Sequence, residues 1–206
     1  MRCKATAVVL ATALAVGAVH AEGGLAFCMR PGLLINAAHI GYKTDNLFVG
    51  AGLEFASASV STKYTSESYT YTDKVGVSVF LPQVAARVFF GHIGEEASGA
   101  GYARPYGGAS LFYSIAGASI TGSDGETTWR DTTSERLIKD VLGGNVGGTV
   151  SFGGEYYIAR SLSLGGEFGM RFLFGGTKYE SYYEETTTAS LGLGFTYTTL
   201  GLNFYF

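Results

Sequence analysis

From residue 33 onward the chain is built of segments in which apolar and polar positions alternate, the period-2 signature of strands with one face in an apolar medium and the other in a polar one. The last closes on an aromatic residue. Phe206, Phe204, Leu202 and Leu200 fall on one face of residues 191–206, and Tyr205, Asn203, Gly201 and Thr199 on the other. Its apolar set switches from odd positions (Leu191, Leu193, Phe195, Tyr197) to even ones from Leu200, which predicts a bulge near Thr198 and Thr199. Residues 146–158 and 162–174 form the clearest pair, joined at Ala159, Arg160 and Ser161. Val150, Phe152, Tyr156 and Ile158 oppose Ser151, Gly153 and Glu155, and Leu164, Phe168, Met170 and Phe172 oppose Glu167 and Arg171. In residues 47–60, Leu47, Val49, Ala51, Leu53 and Phe55 oppose Gly50, Gly52 and Glu54. In residues 75–90, Phe80, Val84, Ala86, Val88 and Phe90 oppose Gln83 and Arg87, with Pro82 marking an expected irregularity because proline cannot donate to a ladder.

The remaining segments fill in the order. Residues 33–42 alternate less cleanly and end in a compact turn at Lys43, Thr44, Asp45 and Asn46; residues 105–120 alternate weakly after a glycine-rich turn over 91–104. Residues 62–74 are polar but rich in β-formers and read as strand extensions meeting in a loop. The longest loop, 121–145, holds Thr132, Thr133, Ser134 and Glu135 in a capping-box spacing ahead of Leu137, Ile138, Val141 and Leu142, with Gly143 and Gly144 as a stop. These residues form a short amphipathic helix or extend the next strand; the pattern leaves both open. Residues 175–188 are expected to be the last outer loop.

Composition changes the picture because 47% of the chain is hydrophobic and 15% charged. Beyond residue 21 there is no apolar run near the ~18 residues of a membrane-crossing helix. Residues 1–21 have the layout of a secretory signal peptide: Arg2 and Lys4, an apolar stretch, then Val19, His20 and Ala21 around a cleavage point. Removing that leader takes the formal charge from −3 to −5, which argues against a nucleic-acid partner. It also removes Cys3 and leaves Cys28 as the one thiol. The mature chain, 22–206, is expected to be one domain.

An alternating last strand closing on Phe206, together with the hairpin EYYIARSLSLGGEFGMRF and the alternation of short turns with long Tyr/Ser/Thr-rich loops, resembles small bacterial outer-membrane β-barrels of the OmpA and OmpX type. The resemblance implies an all-β, antiparallel up-and-down transmembrane barrel of about eight strands in the bacterial outer membrane. It also implies partnership with membrane lipid and with the machinery that assembles such barrels, for which Phe206 would be a signal. About seven strands are evident, and a single-chain barrel with both ends on one side needs an even number. Gly23–Arg30, with a turn at Arg30, Pro31 and Gly32, is expected to supply the eighth.

In a barrel of that size side chains fill the interior. Glu54, Arg87, Glu155, Glu167 and Arg171, with Gln83 near them, then form an inward set that should pair, since an unpaired ion there is costly. Catalysis has little support in the sequence. The histidines left after cleavage, His39 and His92, stand beside no G-x-S-x-G or comparable nucleophile motif, and His39 reads as a lumen or interface side chain. No cofactor or metal motif occurs, so none is expected. The expected role is structural, or a surface interaction with an extracellular partner through loops carrying Tyr64, Tyr69, Tyr71, Trp129, Tyr179, Tyr182 and Tyr183. The alternatives are a small channel, a lateral path for a hydrophobic ligand and, last, a lipid-modifying enzyme.

Overall fold

The computed structural model describes residues 23–31, 35–66, 70–94, 100–180 and 186–206. The leader expected over 1–21 lies outside them. Among the described residues the sheet closes into an antiparallel ring: β1 (Gly23–Arg30), β2 (Ile35–Thr44), β3 (Leu47–Thr65), β4 (Thr70–Phe89), β5 (Tyr102–Tyr113) continued by β6 (Ile115–Ser123), then β8 (Val146–Ala159), β9 (Leu162–Glu180), β10 (Thr186–Tyr205) and β1 again. β5 and β6 act as one strand, because both pair with β4 in a single register, from Phe89↔Tyr106 to Thr72↔Ser123. The ring therefore has eight staves. A short β7 (Thr128–Arg130) and helix α1 (Thr132–Leu142) lie between β6 and β8. β1 is short, yet it closes the ring, pairing with β10 from Ala26↔Tyr205 to Met29↔Leu202.

Several local expectations are corrected. β9 and β10 pair without a register shift from Thr186↔Glu180 to Phe204↔Leu162, so there is no bulge at Thr198 and Thr199. The odd-numbered aromatics Phe195 and Tyr197 face the lumen, where Arg171 lies against both rings; counting them as lipid-facing created the false switch. The pairing also runs through most of the outer loop expected over 175–188. At Pro82 the ladder to β3 keeps its register, while the ladder to β5 and β6 lapses between Gln83↔Phe112 and Phe80↔Ile115. Opposite that lapse Ser114 turns its backbone to the other side, donating to Asn145 O and accepting from Gly144 N. The helix alternative holds for residues 132–142, but no capping box forms. Asp131 is the N-cap, accepting from Thr133 N and Ser134 N, and Glu135 instead reaches across to β6.

The staves stand at unequal heights. At the end with Gly23 and Phe206, Asp45 with Asn46 and Arg160 with Ser161 make tight turns, and Phe206 N donates to Leu25 O. At the other end β3 pairs with β4 up to Thr65↔Thr70 and β9 with β10 up to Glu180↔Thr186. By contrast β1 and β2 pair only up to Arg30↔Ala37, and β8 begins at Val146. The low sector above β8 is occupied by α1, which packs on β6. There Glu135 accepts from Ile120 N and so covers part of an otherwise open strand edge.

Two halves of the barrel are patterned oppositely. In the lower half large apolar groups face outward: Leu53, Val88, Leu111, Val150, Phe152, Phe168 and Leu200 are all exposed, and no charged residue lies among the outward positions of these stretches. In the upper half the rows Val60–Val75–Ile120, Ala58–Val77–Ala118 and Ala56–Val79–Ala116 continue the lumen-side face. The rows Ser59–Gly76–Ser119 and Ser57–Ser78–Gly117 continue the outer face. An apolar exterior over a polar interior is what hydrocarbon requires of a barrel wall, and a polar exterior is what water requires. The inversion is where a wall of this pattern would pass from hydrocarbon to water.

Candidate functional site: the filled lumen

The inward positions of the lower half carry ionised groups in three tiers. Nearest the short-turn end is Glu155, 1% exposed, which accepts from Tyr157 Oη at 3.0 Å, from Ser163 Oγ at 3.3 Å and from the Tyr205 hydroxyl. Lys43 lies 3.6 Å from the same carboxylate, its ammonium against the rings of Phe89, Tyr157 and Tyr205 at 4.5, 4.6 and 4.2 Å. Burying a lysine requires replacement of its water shell. Three ring faces and one carboxylate supply it here. Arg104, in the same region, donates to Asn46 Oδ1 and to Gly91 O.

Glu167 holds the middle tier. Its carboxylate is 2.7 Å from Arg30 and 3.7 Å from Arg87, and it accepts from Tyr197 Oη at 2.7 Å and Tyr106 Oη at 3.0 Å. Arg87, 3% exposed, rests against the rings of Phe48 and Tyr106 and directs Nη1 toward Cys28 Sγ at 3.7 Å. In the third tier Arg171 is 2.7 Å from Glu54 and lies against the rings of Phe112, Tyr197 and Phe195. Asn145 fills the space in front of Gly175, where a Cβ would fall 1.4 Å from Asn145 Oδ1; glycine is required at that close approach.

The inward charges named from the sequence thus meet in part with one another, Arg87 with Glu167 and Arg171 with Glu54. Glu155 meets none of them. Its partner is Lys43, and Glu167's nearer partner is Arg30. Lys43 and Arg30 were hidden by their assignment to turns, although each shares strand parity with a lumen residue, Lys43 with His39 and Arg30 with Cys28. Of the tyrosines that finish these tiers, Tyr205 falls on the polar face expected of the last strand, whereas Tyr197 is counted there with the apolar set. His39 is 4% exposed and lumen-facing, and Ser110 and Thr149 share a hydrogen bond of 2.7 Å. The arrangement draws on all eight staves and leaves little space. Among the described residues no three His, Cys, Asp or Glu side chains gather as a metal ion would need.

No family model matches the chain, and no curated protein matches it. Among solved structures, the crystal structure of Neisserial surface protein A (NspA) is similar at 15% identity and a TM-score of 0.42, over 89% of this chain and 94% of that one.

Proposed function

We propose that the chain is an integral protein of the bacterial outer membrane, of the small OmpA and OmpX type, whose filled barrel is an anchor and whose working surface is the part that stands outside the cell. The carrying observation is the combination of an uncharged apolar belt with a lumen occupied at three successive levels by buried ion pairs, the carboxylates of the first two also accepting from tyrosine hydroxyls. Groups held this way rigidify a wall; they do not line a water column. The exposed sheet of β3, β4 and β6, with β7 and α1, is the surface offered to an extracellular partner, and the role is not catalytic.

The test is single-channel recording of the refolded protein in a planar bilayer, with no steady current expected. A stable conductance whose ion selectivity shifts in Arg171→Ala would replace this reading with that of a small channel. The reading includes a cleaved leader over 1–21, insertion by the outer-membrane assembly machinery and a signal role for Phe206. Deleting Phe206 should then lower the yield of folded protein in the outer membrane without lowering export, and an unchanged yield would remove that role.

One observation favours a second reading, a lateral path for a hydrophobic ligand. Leu193 and Phe195 face the lumen side of β10, remain 45% and 43% exposed, and stand above the low sector at β1 and β2. Quenching of a fluorescent fatty acid by the protein in detergent, lost in Phe195→Asp, is the outcome that supports it.

A further inference from the structure

The lumen charges do not balance. Arg30, Lys43, Arg87, Arg104 and Arg171 face Glu54, Glu155 and Glu167, all of them at or below about a tenth exposed. One cation of the excess is at the short-turn end, where Lys43 and Arg104 are near Glu155, and the other is at the middle tier, where Glu167 is shared by Arg30 and Arg87, while Glu54 is engaged by Arg171. Beside these groups is a cavity of about 20 Å³, lined by Arg30, His39, Gln83, Arg87, Ser110 and Thr149 together with the two carboxylates. Gln83 is 7% exposed and its Nε2 has no hydrogen-bond partner; His39 Nδ1, in the same wall, also has none.

We propose that this cavity is a binding site for a single chloride ion. A buried amide N–H without a partner is costly, and so is a buried positive charge without a counter-charge. One monoatomic anion corrects both at once. A cavity of this size holds a particle about as large as a water molecule, which suits a monoatomic anion better than a carboxylate, phosphate or sulfate. The two carboxylates in the wall do not oppose the ion unscreened, because Glu167 is turned to two guanidinium groups and two tyrosine hydroxyls and Glu54 to a third guanidinium. The competing occupant is water, which would satisfy Gln83 Nε2 and leave the charge excess in place. The chloride is a structural counter-ion that completes the middle tier.

Bromide replaces chloride and is located directly by its anomalous scattering. Crystals of the wild-type protein grown with bromide as the halide should show an anomalous peak in the cavity, in contact with Gln83 Nε2. In parallel, the thermal midpoint in detergent should rise with chloride concentration at constant ionic strength and stay unchanged when gluconate, too large for the cavity, is the anion. Gln83→Glu supplies the negative charge from the protein, so its midpoint should lose the chloride dependence and its crystals the peak. A cavity holding only water, equal midpoints in chloride and gluconate, or a peak that persists in Gln83→Glu would each overturn the proposal. The crystallographic result on the wild type stands even where the variant fails to fold.

Discussion

Arg171 sits at the third tier with one carboxylate and three aromatic rings around it, at 5% exposure. Removing one member of such a pair leaves the other charged and dry, so Arg171→Ala should destabilise the barrel by about 3 to 5 kcal/mol. Adding Glu54→Gln should recover much of the loss, because no buried charge is then left over. Urea unfolding in lipid vesicles measures both. A loss below about 1 kcal/mol, the range of solvent-exposed pairs, would show that water reaches Glu54 and that the third tier is not sealed. The same scale explains what the sequence concealed. The parity of a strand assigns a charge to the lumen only when the strand is drawn long enough to include it, and Lys43 and Arg30 each stand at the last inward position of a stave, where the sequence reads as the start of a turn. A tyrosine is ambiguous in another way, since its ring suits lipid and its hydroxyl suits a carboxylate. Tyr197 and Tyr205 spend the ring on a cation and the hydroxyl on a glutamate.

Among the elements, β6 and α1 were the least legible in advance. The alternation is weak in residues 105–120 because the strand crosses the level at which its two faces exchange character, apolar positions falling on odd numbers up to Ile115 and on even ones at Ala116, Ala118 and Ile120. No single-face pattern survives that exchange. The helix signal in 132–142 is present in the sequence, but the glutamate at capping-box spacing works elsewhere. Glu135 accepts from Arg130 at 2.6 and 2.7 Å and from Ile120 N at 2.9 Å. These contacts, the Arg130 hydrogen bond first, hold its carboxyl down to about 2. Because the folded value lies below the ordinary range of a glutamate, about 4.3, the contact stabilises the fold fully above that range and is lost as pH falls through about 2. Hydrogen exchange at the Ile120 amide, corrected for the intrinsic pH dependence of exchange, should therefore lose protection over that acid window. Glu135→Gln should be flat across it. Equal pH profiles for the two proteins would separate the edge of β6 from the ionisation of Glu135.

On the scale of the whole molecule, the proposed function makes the inversion of inside and outside the level at which the membrane ends. Below it the outer face of β8 and β9 presents Val150, Phe152, Phe168 and Met170 to lipid, all exposed; above it the outer face of β3 and β4 presents Ser57, Ser59, Ser78 and Lys74. A charge on the outer face should then carry a cost that depends on height alone. Val150→Arg lies on the outward apolar face of a stave that is low throughout, so the charge meets hydrocarbon and should cost about 2 to 4 kcal/mol, while Ser59→Arg should cost about 0 to 1. Neither site contacts the lumen tiers, so differences in packing do not enter. Both variants are read by unfolding in vesicles of one lipid thickness. Repeating the pair in thicker bilayers, which raise the upper hydrocarbon boundary along a fixed wall, should leave Val150→Arg unchanged and raise the cost of a charge placed just above the inversion, as in Ser57→Arg, before that of Ser59→Arg. Equal costs at Val150 and Ser59 would mean that the apolar lower exterior is not the lipid-facing belt, and the placement of the barrel in the membrane would have to be drawn again.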